Sequence, residues 1–195
     1  MALSPVTLTG RFAHLEPLQM HHAADLYRAA QEQGIWAYMP LNPSRSLEDM
    51  QAWIASALND QQAGTALPFV IIDNISGKVV GSTRYLLIIL KDRNLEIGST
   101  WLAPEVQRTG INTECKYMLL RHAFETLGMI RVQLKTDSRN LQSQRAIERI
   151  GARKEGVLRK QMILHDGYIR DAVLYSIIDS EWPGVKVALE EKLKR

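Results

Sequence analysis

The chain has 195 residues, 46% of them hydrophobic and 23% charged, and its 24 basic and 21 acidic side chains leave a net charge of +3. That size suits one domain, here residues 1–195, around a single sizeable core, and the scattered basic residues give no support to a nucleic-acid surface. No run approaches the ~18 apolar residues of a membrane span, and a lone cysteine, Cys115, excludes an internal disulfide and favours a reducing compartment.

Val6 to Leu15 reads as a strand broken at Gly10-Arg11. Leu18 to Gln33 follows as a helix, opened near Pro17, carrying Ala23, Leu26, Tyr27 and Ala30 at helical spacing, and stopped by Gly34. Ile35 to Pro40 is aromatic and apolar, and reads equally well as the wall of an acceptor site or as a plug between helices. Ser46 with Asp49 has the spacing of a capping box, and Met50, Trp53, Ile54 and Ala57 continue an amphipathic helix to about Gln62. Pro68 to Ile72, Val79 to Leu90 and Leu95 to Leu102 then form a three-stranded meander. Strict alternation in the third strand puts Glu96, Gly98, Thr100 and Leu102 on one face and Leu95, Ile97, Ser99 and Trp101 on the other.

Asn112 to Leu127 is strongly helical, with Ile111, Cys115, Met118, Leu119, Ala123 and Leu127 on one face and Gly128 as its terminator. Arg131 to Thr136 alternates as a strand, which completes a βαβ unit and predicts a parallel pair. Asn140 to Ile150 is a short helix, Glu155 to Leu164 and Arg170 to Ile178 are a hairpin turned at Asp166-Gly167, and Ser180 caps a last helix to about Leu193. Cys115 falls on an apolar stripe and reads as a buried hydrophobe; the five histidines have no metal-ligand spacing. The N-terminus lacks a basic stretch followed by an apolar run, so a cytoplasmic protein is expected.

Between the third meander strand and the helix lies Gln107-Arg108-Thr109-Gly110-Ile111-Asn112-Thr113. A strand, a glycine-bearing turn and a helix start leave several N–H groups unpaired and carry partial positive charge, which suits phosphate oxygens. Gly110 lets the backbone come close, and Arg108 adds a planar cation.

This run resembles the Q/R-x-x-G-x-G/A acetyl-CoA signature of the GNAT superfamily, the Gcn5-related N-acetyltransferases: Gln107, Gly110 and Asn112 fall on its fixed positions, with Asn112 replacing the usual small residue. Asp137 to Ala152 is similar to the D-x-x-N-x-x-S-x-x-A-I-x-x-x-G segment of the RimJ/RimL-like branch, and Glu155 to Arg159 to the strand after it. The resemblance covers nearly the whole chain. It implies an α/β (α+β) fold whose mixed, mostly antiparallel central sheet holds one splayed parallel pair, flanked by helices.

The implied activity is that of an acyltransferase moving an acetyl group from acetyl-CoA, without a metal, to a primary amine. A protein or peptide N-terminal α-amine is the expected acceptor; a small-molecule amine, or CoA binding without catalysis, are the alternatives. The resemblance places the cofactor on Leu102, Gln107, Arg108, Thr109, Gly110, Ile111, Asn112, Thr113, Asn140, Ser143 and Arg145. Leu102 marks the N–H that meets the thioester oxygen. Glu96 stands where many members put a carboxylate base. The position that often holds a tyrosine acid is Ile147, which leaves Ser143 or a water for that part. Edge strands and the Trp36–Tyr38 patch are compatible with a homodimer.

Overall fold

In the computed structural model, which describes residues 3–194, the first predicted strand is a small hairpin, β1 (Leu8–Thr9) and β2 (Ala13–Pro17). A 3-10 turn at Met20–His22 leads into α1 (Ala23–Ala29), followed by α2 (Leu47–Gln62). The meander is β3 (Leu67–Asp73), β4 (Val79–Ile89) and β5 (Asn94–Leu102), and α3 (Gly110–Arg121) crosses to β6 (Arg131–Asp137). Then come α4 (Leu141–Arg149), the hairpin β7 (Arg153–Ile163) and β8 (Ile169–Ile178), and α5 (Trp182–Leu193). The strands form one sheet in the order β1-β2-β3-β4-β5-β6-β8-β7, and the parallel neighbours are β5 and β6, as the βαβ reading requires.

β3 is buried at nearly every position, so both faces of the sheet must be covered. Leu67, Phe69 and Ile71 share one core with Cys115, Met118 and Leu119 of α3 and Leu189 of α5. Val70 points the other way, into a second core with Leu26 of α1 and Met50, Trp53 and Ile54 of α2. The Ser46 hydroxyl accepts from the Asp49 N–H at 3.0 Å and starts α2, as its spacing predicts. Among the described residues, no helix is long and apolar enough to cross a membrane.

A carboxylate ties the N-terminal hairpin to α3. Buried Glu114 accepts the backbone N–H groups of Arg11, Phe12 and Ala13 at 2.7, 2.6 and 2.9 Å. Gly10 lies in the same turn because a Cβ there would collide with that carboxylate.

Several sequence expectations are corrected. Pro17 ends β2 rather than opening a helix, and α1 stops at Ala29, with Ala30 as its cap. Gln33–Trp36 is a separate 3-10 turn, so Gly34 is not the stop. α3 starts at Gly110, and its last turn, His122–Thr126, is a π turn. The residue before α5 is Glu181, not Ser180.

The correction that matters most is in β5. Ser99 has a φ of 47°, and the register with β4 slips between Gly98 and Trp101, so an extra residue bulges there. The bulge inverts the alternation beyond it. Leu102 joins Leu95 and Ile97 in the first core, while Trp101 joins the second, against Trp36.

Candidate active site

β5 and β6 pair only where Asn94, Leu95 and Glu96 meet Arg131, Val132 and Gln133. β6 then continues beside β8, and β5 turns away at its bulge to stay with β4. Ile97–Leu102 and Leu134–Asp137 thus face each other across a widening gap, with unpaired backbone groups on both rims. The gap is a cleft of about 420 Å³. Gln107, Arg108 and Asn112 line one end of it, its mouth, where α3 starts, Glu96 lies at its apex, where the strands part, and residues of Ile35–Pro40 line its far side.

The turn at the mouth is held by its own side chains. Gln107 Nε2 donates to the Leu102 carbonyl at 3.0 Å. Thr109 caps α3: its hydroxyl accepts from the Ile111 N–H at 3.3 Å and donates to the Val106 carbonyl at 2.7 Å. Arg108 adopts a φ of 63°, a left-handed conformation unusual for a side chain of this size, and this swings the chain from the 3-10 turn at Pro104–Val106 into the helix. The start of α3, with its unpaired N–H groups and positive dipole end, faces the cleft mouth.

Of the side chains expected at the cofactor, Leu102, Gln107, Arg108, Asn112, Asn140 and Ser143 line the cleft. Ile111 is in the core, and Thr113 is buried with its hydroxyl accepting from Arg149 Nη2 at 3.2 Å, so neither offers the cleft a side chain. Thr109, Gly110 and the exposed Arg145 do not line it either. At Gly110 a Cβ would meet the Phe12 ring at 3.0 Å, so this glycine also serves the packing of α3 on the N-terminal hairpin.

Asn140 is the N-cap of α4, its Oδ1 accepting from the Ser143 N–H at 2.9 Å. Ser143 and Ile147, one turn apart, present the same helix face to the cleft. Glu96 is 5% exposed at the apex, where its Oε2 accepts from Gln133 Nε2 at 2.8 Å and pairs with Lys135 Nζ at 3.3 Å. Its Oε1 takes neither bond and lies beside Gly98, where a Cβ would approach it to 2.9 Å. The bulge means that Trp101, not Leu102, shares the Glu96 face.

The Ile35–Pro40 segment is both wall and plug. Trp36 is the plug: buried, its Nε1 donates to the Ala30 carbonyl at 2.9 Å. Ile35, Tyr38, Met39 and Pro40 are the wall. Burial pushes the Cys115 thiol up to about 12, which rules against a nucleophile. Tyr175 is core, its hydroxyl on Glu148 at 3.0 Å, and Tyr168 is exposed beneath the Arg139 guanidinium and does not line the cleft.

The family model described as "Acetyltransferase (GNAT) domain" matches residues 13–153. The chain belongs to the GNAT acetyltransferase family. It is similar to the putative ribosomal N-acetyltransferase YdaF of Bacillus subtilis, 31% identical over 180 residues that cover 88% of this chain and 92% of that protein. Among solved structures, a putative acetyltransferase from T. thermophilus superposes with a TM-score of 0.90 at 36% identity, covering 99% of this chain and all of that one. A Gcn5-related N-acetyltransferase from Brucella melitensis gives 0.91 at 29% identity, over 99% of this chain and 87% of that one.

As a GNAT enzyme the protein is an N-acetyltransferase that uses acetyl-CoA as co-substrate. The cleft fits that molecule. Its open strand rims suit an amide-bearing arm, and the helix start at its mouth suits a diphosphate. Among the cleft residues that the sequence did not single out are two buried cations. Arg170 lines the cleft from β8 with its Nη2 on Gln161 at 3.0 Å, and Lys116 lines it from α3. Lys116 carried a signal: it follows Asn112 by four residues, so whatever face Asn112 shows the cleft, Lys116 shows too.

Proposed function

We propose that the enzyme acetylates a protein or peptide N-terminal α-amine, in the manner of the RimJ/RimL-like branch, by direct attack within a ternary complex. The observation that carries this reading is the splay of β5 from β6 beside the start of α3. The N–H groups of residues 108–113 hold the diphosphate, with Arg108 adding charge. The arm lies between the two strand rims, Asn140 offers it an amide, and the N–H near Leu102 stabilises the thioester oxygen as it gains charge. The acceptor enters from the side of Tyr38, Met39 and Arg170, opposite the mouth.

An α-amine has a pKa of about 7.7–8.0 against about 10.4 for a lysine side chain, so it needs only modest help to lose its proton. Glu96 supplies that help through Oε1, while Gln133 and Lys135 fix the other oxygen. Ser143 is one turn from the site of the absent tyrosine and serves as a hydrogen-bond donor near the sulfur. The likeness to a relative named as a ribosomal N-acetyltransferase supports a protein acceptor, and cytoplasmic residence follows from that role.

The test is thiol release from acetyl-CoA against a panel of N-terminal peptides, lysine-containing peptides with blocked N-termini, and small amines. The expected result is turnover confined to free N-terminal peptides. Preference for a small amine or a lysine side chain would overturn the acceptor assignment, and calorimetry showing no binding of CoA would overturn the reading of the cleft.

A further inference from the structure

We propose that Lys116 is a catalytic residue of the acetyl transfer: its ammonium faces the thioester sulfur and gives it a proton as the thiolate leaves. This deepens the function proposed above and rests on the same reading of the cleft. Lys116 is only 7% exposed, yet it lines the cleft. It stands one turn beyond Asn112 on the same face of α3. Its Nζ donates to Thr100 Oγ1 at 2.6 Å, at the bulge where β5 leaves β6, and that hydroxyl is 2.8 Å from Thr83 Oγ1.

Among the described residues, no carboxylate lies within ion-pair distance of this ammonium. The other cations of the cleft are engaged or distant: Lys135 pairs with Glu96, Arg170 holds Gln161, and Arg108 is exposed at the mouth. A buried ammonium bonded to a hydroxyl rather than to a carboxylate is costly to the fold. That cost has a purpose if the balancing negative charge comes with the substrate. An arm that starts at the first turn of α3 and runs toward Glu96 must pass Ile97–Leu102, a stretch whose hydroxyl side chains are Ser99 and Thr100. Lys116 is bonded to the second of these. The reacting sulfur lies on this path, between the mouth and the carboxylate at the apex.

The step balances. The amine nitrogen bonds to the carbonyl carbon, the C–S bond breaks with its electron pair going to sulfur, and sulfur takes the proton from Lys116 Nζ. The amine's lost proton passes to Glu96 or solvent and restores the lysine. Burial draws the Lys116 ammonium down to about 8, close to the ~8.5 of an ordinary thiol, so the transfer is nearly level near neutral pH. On α3 its titratable neighbour is Cys115, with Glu114 two residues before it; Tyr38, Glu96, Arg108, Lys135, Asp137 and Arg170 border the same cleft, and the groups bonded around Nζ are the hydroxyls of Thr100 and, through it, Thr83. The proposal also accounts for Ile147, since the proton donor stands on the opposite wall.

The experiment follows the thiol of bound CoA by its thiolate absorbance through a pH titration, with desulfo-CoA as the blank, in the wild type, Lys116→Met and Lys116→Arg. In the wild type the bound thiol should ionise at lower pH than free CoA. Lys116→Met should abolish that shift and lower kcat by about 100-fold, with the KM for acetyl-CoA held within about threefold. Lys116→Arg should keep the thiolate shift but lose rate, because arginine does not release its proton. The wild-type kcat should fall above pH ~8, and this limb should vanish in both variants. A bound thiol that titrates alike in wild type and Lys116→Met would overturn the proposal and leave the cleft assignment standing. Failure of the wild type to bind CoA would overturn both.

Discussion

The two sides of the cleft are built on different plans. The cleft wall from β5 through the start of α3 is one continuous piece of chain, Ile97 to Lys116, and much of what it offers is backbone: a helix start, a left-handed turn at Arg108 and the open rim of β5. The acceptor side is gathered from distant segments, with Tyr38 and Met39 after α1, Glu96 on β5, Met162 on β7 and Arg170 on β8. Backbone donors serve whatever the side chains are, so the first side needs only a short motif. The second side is all side chain, and it can change its acceptor without disturbing the sheet.

The largest break in the first side comes from behind it. Glu114→Ala leaves the N–H groups of Arg11, Phe12 and Ala13 without their partner, at about 1–3 kcal/mol for each buried donor. A loss of roughly 3–5 kcal/mol is expected in chemical denaturation, with partial recovery in Glu114→Gln. A cost under about 1 kcal/mol would show that α3 keeps its place without the hairpin.

Next in size is the stability change at Lys116. A lysine held at about 8 when folded and at 10.5 when unfolded binds fewer protons in the folded state between those values. Stability must therefore rise with pH from about 8 to 10.5, and below pH 8 the charged lysine costs the fold roughly 3 kcal/mol. Lys116→Met should be more stable than the wild type at pH 7 by up to that amount, and it should lose the slope. Gained stability together with lost turnover would mark a residue kept for function. Denaturation midpoints at pH 7 and pH 10 check this.

On the acceptor side, Glu96→Gln should lower kcat by about 100-fold and shift the acidic limb of the pH–rate profile, with CoA affinity unchanged. An unmoved profile would remove Glu96 as the base. The contrast between the sides sharpens here, because the same measurement on Arg108→Ala, at the mouth, should weaken CoA binding.

These two plans also explain what could be read from sequence. Element order, the βαβ crossover, the parallel pair and the Ser46 cap were legible, since periodicity and capping chemistry are local. The bulge at Ser99 was not. A positive φ at serine has no sequence signature, yet it exchanges Leu102 for Trp101 on the Glu96 face. α1 was overextended because Ala30 and Gln31 are good helix formers, while Trp36, buried against Trp101, draws the following chain into its own turn. Arg170 was hidden because its place beside Glu96 depends on the β8 register with β6 and β7.

The smallest effect tests a residue the motif treats as central. Gly110 reads in sequence as bare backbone for a phosphate, but its missing Cβ points at Phe12, 3.0 Å from the ring. Phe12 is only half-buried, so its ring can give by a few tenths of an ångström, and alanine recovers helix propensity worth up to about 1 kcal/mol. Gly110→Ala should therefore change stability by less than about 1 kcal/mol and CoA affinity by less than about threefold. Gly110→Val adds bulk against the same ring and should cost more stability while still leaving the cleft lining intact. Calorimetric titration of CoA into both variants decides between the two reasons for the glycine. A tenfold loss of affinity in Gly110→Ala, without loss of stability, would mean that the ligand itself comes close to this backbone and that the Phe12 contact is secondary.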